Sequence, residues 1–83
     1  MNHKLVGSYL KNVRMDKGLT QSDVAVKLGY TSPQFISNIE RGISKVPLKT
    51  LRHFIDLYQL NPEHLIETIL EEKRHQIRKA LGV

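Results

Sequence analysis

Residues 31–42 read TSPQFISNIERG, and on a helical wheel they divide into two faces of different chemistry. With Ser32 as cap and Pro33 opening a helix, Phe35, Ile36 and Ile39 fall on one side. Gln34, Ser37, Asn38 and Arg41 fall on the other, at i, i+3, i+4 and i+7. The first side is ordinary core. The second carries two amides, a hydroxyl and a guanidinium in place of the usual Lys and Glu of a solvated face, and these groups form hydrogen bonds in fixed directions. Glycine closes the segment at Gly42.

Outward from this stretch the chain is cut into further helices. Leu5, Val6, Tyr9, Leu10 and Val13 recur with helical spacing up to the stop at Gly18. Thr20 caps a short second helix with Asp23 three residues on, a variant of the capping box. Val24, Ala25 and Leu28 face inward there, and Gly29 ends it. After the connection ISKVP, the residues Leu48, Leu51, Phe54, Ile55 and Tyr58 mark a fourth helix. Asn61, Pro62 and Glu63 give the cap, first-turn proline and early acid of a fifth. Period-two runs are too short for strands. The expected fold is all-α, a compact five-helix bundle with an extended C-terminal helix.

A chain of 83 residues with 40% hydrophobic content supports one compact domain. The domain is placed at 1–70, with 71–83 as a C-terminal extension of helix 5. Leu65, Ile66, Ile69 and Leu70 are positioned to dock on the domain. Ile66, Leu70, Ile77 and Leu81 also form a stripe that continues along the polar tail, and it reads either as occasional apolar residues in a solvated segment or as a dimer or partner interface.

Charge is uneven. Residues 1–52 hold nine Lys and Arg against three acids, whereas the remainder holds four against five. That balance suggests a basic body that meets a polyanion and a near-neutral segment with another task. The chain has no Cys, so disulfides and Cys-based zinc sites are excluded. MNHKLVGSYLKN lacks the apolar core of a signal peptide, and no apolar run approaches the roughly 18 residues that span a bilayer. The expected location is the cytoplasm, with no membrane partner.

Helices 2 and 3 are short and joined by a glycine-containing turn, and Ala25 lets the second approach the first closely. This is a helix-turn-helix, whose second helix enters the DNA major groove. The stretch RMDKGLTQSDVAVKLGYTSPQFISNIERG resembles the lambda-repressor/Cro-like (XRE) helix-turn-helix family. The shared features are GLTQ at the start of helix 2, Ala25, Gly29, the Ser37, Glu40, Arg41, Gly42 ending of helix 3, and two following helices, over roughly residues 5–66.

The outer face of helix 3 then acquires a purpose. Amides form paired bonds to adenine, Arg to guanine, and Ser to either base edge, so Gln34, Ser37 and Asn38 are the candidates for base contact. The resemblance implies a backbone phosphate contact for Gln21. Thr31 and Ser32 before helix 3, and Lys45 and Lys49 after it, are candidates for the same role, and Arg41 stands between phosphate binding and a local surface role. It also implies a structural salt bridge between Arg14 and Glu40. Gly29 and Glu40 are eleven steps apart, one more than in the tightest members of the family, which places an extra residue in Tyr30-Thr31-Ser32. Counted from Gly29 instead of from the end of helix 3, the contact register shifts by one.

The four His residues show no metal-ligand spacing: His64 and Glu67 share a face without a third ligand. No phosphate loop or nucleophile set is present, so neither an enzyme nor a cofactor is expected. The leading expectation is a homodimeric, sequence-specific double-stranded DNA-binding transcriptional repressor, bacterial or phage-encoded, on an inverted-repeat operator. The alternative is an antitoxin-like or adaptor protein whose main role is binding a protein partner, with autoregulatory DNA binding.

Overall fold

The computed structural model describes residues 3–83. Among these residues the chain is all-helical, with five helices: α1 Lys4–Asp16, α2 Gln21–Leu28, α3 Gln34–Glu40, α4 Leu48–Tyr58 and α5 Pro62–Leu81. Their limits follow from local chemistry. Thr20 Oγ1 accepts from Asp23 N at 3.0 Å while Asp23 Oδ2 accepts from Thr20 N at 2.9 Å, the full reciprocal box. Hydrogen bonding from the Thr20 backbone N–H, and then from its side chain, holds the exposed Asp23 carboxyl below its ordinary pKa. Asn61 Oδ1 accepts from Glu63 N at 2.9 Å, and Pro62 occupies the first turn of α5. Gly29 closes α2 in the left-handed region at φ 84°.

Three details differ from the sequence reading. Helix α3 starts at Gln34, not Pro33, and ends at Glu40; Pro33 is the flanking residue and supplies no side-chain cap. Ser32 Oγ still approaches Gln34 N, at 3.4 Å. Leu48 is 81% exposed, because it sits on the first turn of α4, ahead of the layer that packs. On α5, Leu65 is buried and Ile69 packs against the core, whereas Ile66 and Leu70 are 44% and 50% exposed.

The core unites all five helices: Val6 and Leu10, Val24 and Ala25, Ile36 and Ile39, Leu51, Phe54 and Tyr58, and Leu65, with Val46 from the connection. Phe54 and Tyr58 stack with ring centroids 5.4 Å apart. Helix α1 meets α3 without an intervening side chain. A Cβ at Gly7 would lie 2.3 Å from the Ile39 carbonyl oxygen, and one at Gly42 would lie 2.8 Å from Lys4 N. His3 N donates to the Gly42 carbonyl at 3.1 Å, locking the contact.

A buried polar cluster fixes the other end of α1. Arg14 Nε donates to Glu40 Oε2 at 2.7 Å and Nη2 to Oε1 at 3.0 Å, a bidentate pair, while Nη1 donates to the Leu19 carbonyl at 2.7 Å. Gln21 Nε2 adds a bond to Glu40 Oε1 at 3.0 Å. The ion pair thus joins α1, the turn before α2, α2 and α3, and the pairing raises the Arg14 pKa above its ordinary value. Tyr58 lies within electrostatic reach of the pair, and its buried hydroxyl has no hydrogen-bond partner among the described residues.

The α1–α5 contact extends past Leu70. Glu72 Oε1 accepts from Val6 N at 3.1 Å, and Oε2 lies 3.6 Å from His3 Nδ1. A carboxylate there satisfies an N–H that the first turn of α1 leaves unpaired. Helix α5 is continuous across residue 70, and its docked face reaches at least to Glu72.

Substitutions at two places test the role of the buried groups. Arg14→Met or Glu40→Leu alone strands the opposite charge and is expected to cost about 3–5 kcal/mol. The double variant is expected to lose less than the sum of the two, measured by urea unfolding. Tyr58 is the second case: burial pushes its phenol up to about 12, so the folded state favours the neutral form. That contribution is complete below the ordinary tyrosine value of about 10 and disappears as pH rises towards the folded value. Tyr58→Phe is therefore expected to fold as stably as the parent at pH 7 and to show a flatter loss of stability in alkali.

Candidate nucleic-acid interface

Helix α3 is mounted from within. Ile36 and Ile39 are in the core, Phe35 packs against its edge, and Glu40 is held by Arg14 and Gln21. This leaves the opposite face outside. There Gln34 Nε2 donates to Asn38 Oδ1 at 2.9 Å, and Arg41 Nη2 donates to the same oxygen at 2.9 Å. Three directional side chains are thereby strung along one face over two turns, with Asn38 at the centre. Gln34 and Arg41 are exposed, and Asn38 and Ser37 are half-buried.

Asn38 also organises the end of the helix through its backbone. Its carbonyl accepts from Ile43 N at 3.0 Å and Ser44 N at 3.3 Å, and Gly42 supplies the φ of 77° that this chain reversal needs. The residue at the middle of the outer face therefore also directs the connection that carries Lys45 and Lys49. Both lysines are exposed. Lys45 lines a groove of about 570 Å³ beside α5, together with Leu48, Ile69, Leu70 and Lys73.

The turn between α2 and α3 is held at Tyr30. Tyr30 N returns to the Ala25 carbonyl at 2.8 Å, and the Tyr30 ring meets Phe35 with centroids 4.8 Å apart. Thr31 and Ser32 then lie exposed immediately before α3.

Gln21 has a partner that the sequence reading did not assign to it. Its amide nitrogen turns inward to Glu40, so the side chain belongs to the mount of α3. Arg41 moves the other way, onto the string that contains Gln34 and Asn38. Its spacing of three from Asn38 was visible on the wheel, whereas the inward turn of Gln21 has no local signal. Among the described residues no group of three or more His, Asp or Glu is placed to hold a metal ion, and no helix is long and apolar enough to cross a membrane.

Known proteins share this architecture. A family model described as a helix-turn-helix domain matches residues 5–68. An uncharacterized HTH-type transcriptional regulator, y4dJ of Sinorhizobium fredii (strain NBRC 101917 / NGR234), is 49% identical over 39 residues, which are 47% of this chain and 49% of that protein. The matched region thus spans about half the length of that curated relative. Among solved structures, the wild-type restriction-modification controller protein C.Esp1396I superposes with a TM-score of 0.68 at 27% identity, covering 84% of this chain and 88% of that one. The C.Esp1396I tetramer in complex with its natural 35 base-pair operator gives 0.65 at 30% identity, covering 82% and 93%. The clp gene regulator ClgR from Corynebacterium glutamicum, at 21% identity and a TM-score of 0.70 over 95% of this chain and 88% of that one, shares the fold. The chain belongs to the helix-turn-helix family of lambda-repressor/Cro-like (XRE) transcriptional regulators.

Proposed function

We propose that this protein is a sequence-specific double-stranded DNA-binding repressor that acts in the cytoplasm as a homodimer on an inverted-repeat operator. The observation that carries the reading is the string Gln34–Asn38–Arg41, directional groups held on the exposed face of a helix whose other face is core. Inserted in the major groove, α3 presents Gln34, Ser37 and Asn38 to base edges, and Arg41 at the far end of the same face is placed for a guanine or a phosphate. Thr31, Ser32, Lys45 and Lys49 flank it as backbone anchors, and the basic excess of residues 1–52 adds attraction that carries no sequence information. Gln21 acts through Glu40 by holding the tilt of α3.

A homodimer gives two recognition helices a fixed spacing, about one helical turn of DNA between half-sites. The surface offered for pairing is the stripe of Ile66, Leu70, Ile77 and Leu81 on α5, all 44% exposed or more. The same stripe supports a second reading, capture of a different protein by an antitoxin-like adaptor. Sedimentation of the isolated chain separates the two: a dimer favours the repressor, and a monomer that associates only with another protein favours the adaptor.

Selection from random duplex DNA at near-physiological salt tests the main reading. An inverted repeat is the expected result, and retention without a motif that vanishes as salt rises would overturn sequence reading. With the operator known, Gln34→Ala and Asn38→Ala are expected to relax sequence choice at a cost of about 1–3 kcal/mol per lost paired contact. Lys49→Ala is expected to weaken all sequences alike and lower the salt slope by about one. Equal behaviour of the two variant types in binding titrations would dissolve the division into readers and anchors.

A further inference from the structure

The charges beside the stripe on α5 are ordered along its length. At about 100° per residue, Ile66, Leu70, Ile77 and Leu81 share one strip. Glu63, Glu67, Glu71, Arg74 and Arg78 lie along its edge on the side away from the docked residues Leu65, Ile69 and Glu72. The acids occupy the first half of the helix and the bases the second. Glu63, Glu67 and Arg78 make no ion pair among the described residues, and Arg74 makes only an exposed one with Glu71 at 3.4 Å. An exposed pair of that kind contributes little and is readily exchanged.

Resting on the homodimer reading above, we propose that α5 pairs antiparallel with α5 of a second copy, with Leu70 beside the two-fold axis. In that register Glu67 faces the partner subunit's Arg74 and Glu63 faces the partner subunit's Arg78. Two-fold symmetry repeats each pair. The helices overlap over roughly 27 Å, nearly the whole of α5. Antiparallel packing brings the same edge of both helices together, so Glu63 and Glu67 of each helix meet the basic half of the other, while Glu71 lies near the axis beside Arg74 of its own helix. Parallel packing would bring this edge against the opposite edge of the partner helix, the side that carries the core-packed Leu65 and Ile69 and Glu72 bonded to Val6 of α1. The apolar strip supplies the attraction, and the charge order favours the antiparallel direction. It also makes the surface selective for a helix with the same order of charges, which a copy of this chain provides.

Charge reversal tests this directly. Glu67→Arg sets like charges at positions 67 and 74 across the interface, and Arg74→Glu does the same with the opposite sign. Each variant alone is expected to raise the dimer dissociation constant at least tenfold in analytical ultracentrifugation. An equimolar mixture of the two is expected to form a heterodimer of near-parental affinity, because the two introduced charges then face each other with opposite signs. Circular dichroism melting verifies that both variants are folded. The chain has no cysteine, which allows a second measurement: Leu70→Cys is expected to cross-link to itself under copper-phenanthroline oxidation, and Ile77→Cys is not. A parent dimer whose single variants dimerise normally, or in which Ile77→Cys cross-links as readily as Leu70→Cys, overturns the antiparallel register and leaves the homodimer standing. A parent chain that is monomeric at all concentrations overturns the homodimer reading itself.

Discussion

The bidentate pair between Arg14 and Glu40 is the constraint on which the arrangement of the domain depends. Its members lie on α1 and on the last residue of α3, and both are buried, with side-chain exposures of 11% and 3%. Charges so placed require complete partnering, and they have it: the guanidinium also holds the Leu19 carbonyl, and the carboxylate also holds Gln21. Each extra bond reaches a different segment. The cluster therefore fixes the tilt of the outward helix relative to the two helices before it, which apolar contacts alone specify less strictly.

Helix α3 has only seven residues, too few to persist by itself in water. Core contacts on one side and Glu40 at one end make it rigid, and the outer side chains are free of packing duties. They are nonetheless ordered, since Asn38 holds both Gln34 and Arg41. In the proposed complex a DNA base edge would exchange these bonds for its own. The groups start from a narrow set of conformations, which lowers the entropy lost on contact.

The five helices and their limits were legible because capping and chain reversal are local: Thr20 with Asp23, Asn61 with Pro62, and Gly18, Gly29 and Gly42 each act over a few residues. The two-sided character of α3 was legible for the same reason. Periodicity could not say which apolar residues at the rim of a face acquire neighbours: it left Ile66 and Leu70 between docking on the domain and an outward stripe, and gave no sign that Leu48 is exposed. Apart from Arg14 with Glu40, which the family resemblance implied, long-range polar contacts left no trace. Glu72 reaches Val6 N across 66 positions, and nothing near either residue marks the other. The glycine at position 7, inside a helix where it carries a propensity cost, was the one overlooked sign of a close helix crossing.

That crossing separates what the protein can change from what it must keep. At Gly7 and Gly42 the backbones of α1 and the end of α3 leave no room for a methyl group, so a substitution at either would have to move a helix. On the outer side of the same helix, Thr31, Ser32, Gln34 and Arg41 are exposed and can be replaced at little cost to folding. Sequence drift is thus channelled onto the outer face while its mount is held constant, and a lineage built on this chain can acquire new targets by a few exchanges without first acquiring a new fold.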